Sequence, residues 1–124
     1  MKLRIHGNTL RLRLNRAEVA RLAETGRVEE AVQFAPDIAL RYVLETAPEG
    51  DAPRALYGDR EIRVLVPVTT AREWTSTDLV AVSGEQIVTA GITLNILVEK
   101  DFKCLHGESE LDLDAFPNPL EYRD

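Results

Sequence analysis

A chain of 124 residues with 44% hydrophobic and 29% charged side chains is long enough to bury one core and too apolar for global disorder. Its net charge of −6 disfavours nucleic acid as a partner, and no run approaches the ~20 apolar residues of a membrane span. The one cysteine, Cys104, rules out an intrachain disulfide and, with no signal-peptide h-region at the start, points to a reducing, cytoplasmic setting.

The charge is uneven. Residues 1–21 carry Lys2, Arg4, Arg11, Arg13, Arg16 and Arg21 against Glu18 alone, whereas residues 99–124 are strongly acidic. "KLRIH", residues 2–6, alternates with Leu3 and Ile5 on one face and Lys2, Arg4 and His6 on the other, the period of a half-buried strand. Gly7-Asn8 is a two-residue turn signal, and "TLRLRL" alternates again, giving a hairpin with a basic outer face. Asn15 and Glu18 have capping-box spacing, Leu14 and Val19 that of a hydrophobic staple, and Gly26 suits a helix end. Strands are expected at about 28–34 and 38–46, broken at Pro36-Asp37, followed by a polar loop over residues 47–53.

The pattern then restarts. Leu56-Tyr57-Gly58-Asp59 echoes Ile5-His6-Gly7-Asn8, and Ile62, Val64 and Val66 echo Leu10, Leu12 and Leu14. Thr70 and Glu73 repeat the capping-box spacing with Trp74 in the place of Val19, and Leu94, Ile96, Val98 and Glu99 match Leu40, Tyr42, Leu44 and Glu45. The expected fold is α+β: a duplicated strand-strand-helix-strand-strand unit with about eight antiparallel strands and two helices. The halves, about 1–46 and 54–100, would share one sheet and one core in a single domain, because a half this short is marginal alone. Residues 101–124 read as an irregular tail with Pro117 and Pro119. Trp74 and Phe34 read as core.

With the apolar faces inward, the other face collects Arg4, His6, Arg11, Arg13, Arg41, Glu45, Glu61, Arg63, Asn95 and Glu99. The plain reading is the wet side of an antiparallel sheet. The sharper one is an anion site built from Arg4, Arg11, Arg13, Arg41 and Arg63, because guanidinium forks match phosphate and carboxylate. Glu45 and Glu99 are repeat-related and are the candidates for a divalent cation such as Mg²⁺; as salt-bridge partners of Arg41 and Lys100 they need no metal. Cys104 and His106, with Asp112 and Asp114, fall short of a recognised zinc spacing, and Cys104 beside Phe102 and Leu105 reads as an inert thiol rather than a nucleophile. His6 is a plain hairpin residue or, less simply, a base. The acidic tail has the basic first hairpin of its own chain, or of a second copy in a homodimer, as a natural partner.

"IHGNTLRLRLNRAEVARL", "LNILVEKDFKCLH" and "DAFPNP" resemble a family of small bacterial proteins of unknown function, which implies no activity. The duplicated order resembles the CYTH, or triphosphate tunnel, architecture, which implies an antiparallel barrel with charged side chains inside and metal-dependent phosphate chemistry. The chain departs from it: "KLRIH" stands where that family carries ExExK, and the chain is short for a complete tunnel. No phosphate loop, dinucleotide fingerprint or serine elbow is present. Two readings remain: a non-catalytic module binding an anionic small molecule or a partner through its charged face, or a metal-dependent phosphate-ester or polyphosphate hydrolase.

Overall fold

The computed structural model describes residues 1–102. Its elements are β1 (Lys2–His6), β2 (Thr9–Leu14), α1 (Arg16–Thr25), β3 (Arg27–Ala35), β4 (Ile38–Ala47), β5 (Arg54–Gly58), β6 (Glu61–Pro67), α2 (Val68–Ser76), β7 (Ala81–Thr89) and β8 (Ile92–Lys100). The strand-strand-helix-strand-strand order occurs twice, and the class is α+β.

The strands do not form one sheet. They form two, in the orders β1-β2-β8-β7 and β3-β4-β6-β5. Each combines one hairpin from each half of the chain. Each hairpin is antiparallel, but the central pairs, β2 with β8 and β4 with β6, are parallel, so both sheets are mixed. The two central ladders are equivalent. Adding 52 to the β2 numbers and subtracting 54 from the β8 numbers turns Thr9↔Asn95 and Leu10↔Ile96 into Glu61↔Arg41 and Ile62↔Tyr42, both of which are observed. Turn bonds follow the same rule: the Asn95 N–H donates to the Asn8 carbonyl at 2.9 Å, as the Arg41 N–H does to the Arg60 carbonyl at 3.0 Å.

The inner faces of both sheets feed one core. Leu12, Leu14, Ile96 and Val98 from the first meet Val28, Leu44, Val64 and Val66 from the second, with Leu22 and Trp74 from the helices. Trp74 is 1% exposed, and its indole N–H donates to the Val80 carbonyl at 2.9 Å, so the buried polar atom is satisfied. Phe34 departs from expectation at 69% exposed. It sits at the irregularity between Gln33 and Ala35 beside the β3–β4 turn, where the bulged residue loses its place in the in-out alternation.

The two helices start differently. Asn15 caps α1 in a complete capping box with Glu18, and Gly26 closes it in the left-handed conformation (φ 76°). The Thr70–Glu73 spacing is not a second box. Pro67 is the N-cap of α2 and contributes no side-chain bond, so the helix begins at Val68, two residues before Thr70. The fixed φ of proline ends β6 there and turns the chain into the helix. The true counterpart of Trp74 is therefore Leu22, 52 residues earlier and equally buried, not Val19.

The sheets do not close into a barrel. One seam is tied: Gln86 on β7 accepts from the Ala55 N–H at 2.8 Å and donates to its carbonyl at 3.0 Å, as a neighbouring strand would. Gly84 permits this approach, since a Cβ there would lie 2.4 Å from the Pro53 carbonyl oxygen. At the opposite seam, between β1 and β3, Val32 occupies the position equivalent to Gln86 and is exposed. The expected barrel with a charged interior is thus replaced by two open sheets that turn their charged faces outward.

Candidate functional site

The alternation that buries Leu12 and Leu14 sends Arg11 and Arg13 outward, and the same parity on β1 and β8 aligns Lys2, Arg4, His6, Asn95 and Glu99 with them. Glu99 accepts from Arg13 Nε at 2.6 Å and lies 3.5 Å from Arg11 Nε. That hydrogen bond to Glu99, with the charges of Glu99 and Asp101, keeps the Arg13 guanidinium protonated to higher pH than usual. Lys2 is held by Asp101 at 2.9 Å. Arg4 makes no ion pair among the described residues. With His6, Thr9 and Arg11 it lines a shallow groove beside the Gly7–Asn8 turn.

The equivalent face of the second sheet has a different balance. Glu61 accepts from Arg63 at 2.7 Å and lies 3.3 Å from Arg41 Nε. Arg27 bridges Glu29 at 2.8 Å and Glu45 at 2.9 Å. The hydrogen bond from Arg63, then the charge of Arg63 and the contact with Arg41, hold the Glu61 carboxyl below the usual range. Val43 lies beneath these side chains with no exposure, so the aliphatic stems of the charged residues cover apolar surface. The groove equivalent to that of Arg4 and His6 is lined by Arg41, Leu56, Asp59, Glu61 and Arg63, with an acid in place of Thr9; Leu56 faces Arg63 as Arg4 faces Arg11, so it matches Arg4 rather than Ile5, one residue off the expected echo.

The five arginines proposed from sequence do lie on outer faces, but not on one surface. Arg4, Arg11 and Arg13 belong to the first sheet, Arg41 and Arg63 to the second. Glu45 and Glu99 are likewise on different sheets, each engaged by arginine rather than paired with the other: Glu45 by Arg27, Glu99 by Arg13. No cluster of three or more metal-ligating side chains occurs among the described residues. Cys104, His106, Asp112 and Asp114 lie outside the described residues.

Sequence reasoning missed Glu18. It lies at 9% exposure and receives the Met1 ammonium as well as the Asn15 N–H. Burial acts to raise its pKa, but those two hydrogen bonds and the charges of Met1 and Arg21 outweigh it and hold the carboxyl low. The Tyr42 hydroxyl donates to the Met1 carbonyl at 3.0 Å and is itself pushed up by burial and by the nearby charges of Glu30 and Glu18. The capping-box spacing flagged Glu18 as a helix residue; nothing local signals a buried charge.

A family model described as a family of unknown function, DUF7009, matches residues 1–120. The chain belongs to this family. No curated protein and no solved structure matches it. The DUF7009 match spans both halves, so the family unit contains both sheets and continues past Lys100. No helix among the described residues is long and apolar enough to cross a membrane.

Proposed function

We propose that this DUF7009 chain is a non-catalytic binding module that takes a phosphate- or carboxylate-bearing ligand on the outer face of β1 and β2. One observation carries the reading: the arginines stand on open, wet sheet faces, and on the first of these Arg4 has no acidic partner among the described residues. Phosphoryl transfer catalysis depends on charge stabilisation in a site that excludes water, with groups converging on one reacting centre. The division of Arg11 and Arg41, and of Glu45 and Glu99, between two sheets speaks against such a centre and for surface recognition. Guanidinium groups flanking His6 and Thr9 offer forked donors to an anion without needing a metal. The equivalent ladders and shared core further support reading the chain as one domain of two duplicated halves.

The test is thermal unfolding of the full chain with phosphate, triphosphate and nucleotides at low salt, with and without Mg²⁺, alongside a phosphate-release assay. A ligand that binds only the native state raises the melting temperature. The reading expects a metal-independent rise that Arg4→Glu together with Arg11→Glu removes, and no release of phosphate. Metal-dependent turnover, or no rise with any anion at millimolar concentration, would overturn it.

A further inference from the structure

We propose that the anion groove continues across the outer face of the first sheet into a second subsite at Glu85, so that the ligand is a small phosphate monoester with an amino group at its far end. The inference rests on the proposed anion site at Arg4 and Arg11 and names what that ligand carries beyond its charge. Cross-strand register places His6 on β1, Thr9 on β2, Asn95 on β8 and Glu85 on β7 in one outward-facing row. The next row holds Arg4, Arg11, Leu97 and Ser83. The groove of Arg4, His6 and Arg11 reaches Thr9, and a second groove begins there. Its volume is about 530 Å³, and Thr9, Asn95, Leu97, Ser83 and Glu85 line it, with Ala52 of the loop before β5 as a further wall.

The strip is cationic at one end, uncharged in the middle and anionic at the other. Arg4 and Glu85 both stand exposed, and neither makes an ion pair among the described residues. From β2 to β7 is two strand spacings, about 10 Å. An anion seated on Arg4 and Arg11 and an amine seated on Glu85 therefore belong to one elongated small molecule, not to inorganic phosphate. Between them Thr9 and Asn95 supply a hydroxyl and an amide, each able to donate and accept, and half-buried Leu97 gives an apolar floor. An ionised carboxylate only accepts, so Glu85 takes an amino N–H and turns away a carbonyl oxygen at that place. The floor is held before any ligand arrives. The Asn95 N–H donates to the Asn8 carbonyl at 2.9 Å, and Asn8 Nδ2 donates to the Thr93 carbonyl at 2.9 Å.

The second sheet has the same row without the site. Its positions are Gly58, Glu61, Arg41 and Ala31. Glu61 and Arg41, 3.3 Å apart, neutralise each other across the middle, and Ala31 offers no side-chain acceptor where Glu85 stands. Only the first sheet keeps opposite charges at the two ends with neutral donors and acceptors between them.

The experiment is calorimetric titration of the full chain at low salt with inorganic phosphate, cytidine 5′-phosphate, uridine 5′-phosphate and glucosamine 6-phosphate, with backbone NMR shifts followed in parallel. The two pyrimidine esters match in size and differ by an amino group against a carbonyl; the amino sugar ester carries the same two groups on another frame, so the pair separates a nucleotide source from a sugar source. At least one amino-bearing ester should bind about fivefold or more tightly than inorganic phosphate and move the amides of Ser83, Glu85 and Asn95 as well as those of Arg4 and Arg11. Glu85→Ala should bring that affinity ratio back toward one; the second sheet already carries alanine at the equivalent place, so the fold accepts it. Cytidine and uridine esters that bind alike, with glucosamine 6-phosphate no tighter than phosphate, overturn the proposal. So does a ratio that Glu85→Ala leaves unchanged, or a set of shifts that stops at Thr9. Phosphate bound at Arg4 and Arg11 with no gain from an amino group removes this inference and leaves the anion face standing; no binding of any probe removes both.

Discussion

The two sheets are the same object built twice, with one difference that matters. Their central ladders coincide residue for residue, and Arg11 and Arg63 occupy equivalent places. Around Arg63, however, Glu61 stands where the first sheet has Thr9, and it neutralises both Arg41 and Arg63. Around Arg11, Arg4 stands where the second sheet has Leu56, and no acid answers it among the described residues. The fold is thus symmetric while the charge is not. A backbone scaffold can tolerate divergence on its outer faces because exposed substitutions cost little, whereas its inner faces are held by packing.

The sharpest way to break the structural half of this comparison is in the core. Leu22 and Trp74 are equivalent buried anchors, so Trp74→Ala should cost about 3–5 kcal/mol and Leu22→Ala about 2–5 kcal/mol, read by urea unfolding. A small loss from either would mean that the helices do not seat alike. Gly84→Ala should follow at about 1–3 kcal/mol, since the new methyl would meet the Pro53 carbonyl and force the tied seam apart. The helix starts separate the halves more finely. Asn15→Ala should lose about 1 kcal/mol with its capping bond, and Thr70→Ala, already inside α2, close to none.

The smallest effect expected is in the pH profile. Glu18, Glu61 and Asp101 all have folded-state pKa values below their ordinary ones, Asp101 chiefly through its hydrogen bond from Lys2. Each contributes stability that is present above the unfolded carboxylate value of about 4 and is lost as pH falls through the depressed folded value. The urea midpoint should therefore drop on acidification below about pH 4, and Glu61→Gln should flatten part of that drop. A profile indifferent to acid would show that these pairs do not couple to folding.

Much of this architecture was legible locally. The alternation in "TLRLRL" assigned the inner and outer residues of β2, and the Asn15–Glu18 spacing marked the start of α1. What the pattern could not show is which strand lies beside which. Alternation tells that a strand is half-buried, not who its neighbour is, and the parallel pairings of β2 with β8 and β4 with β6 join residues far apart in sequence. That gap turned one expected charged surface into two. Thr70–Glu73 misled because the spacing was right but Pro67 had already started the helix. Phe34 misled because bulges at turns leave no mark on hydrophobicity. The arginines themselves were visible; their partners, Glu99 and Glu61, depended on the unseen pairing.

The central claim is that anions bind one sheet and not its twin. Backbone NMR shifts of the full chain, recorded while phosphate is titrated at low salt, test it residue by residue. The account predicts perturbations centred on Arg4, His6 and Arg11, with Arg41, Glu61 and Arg63 unmoved. Perturbations of equal size on both faces, or confined to the second, would contradict it.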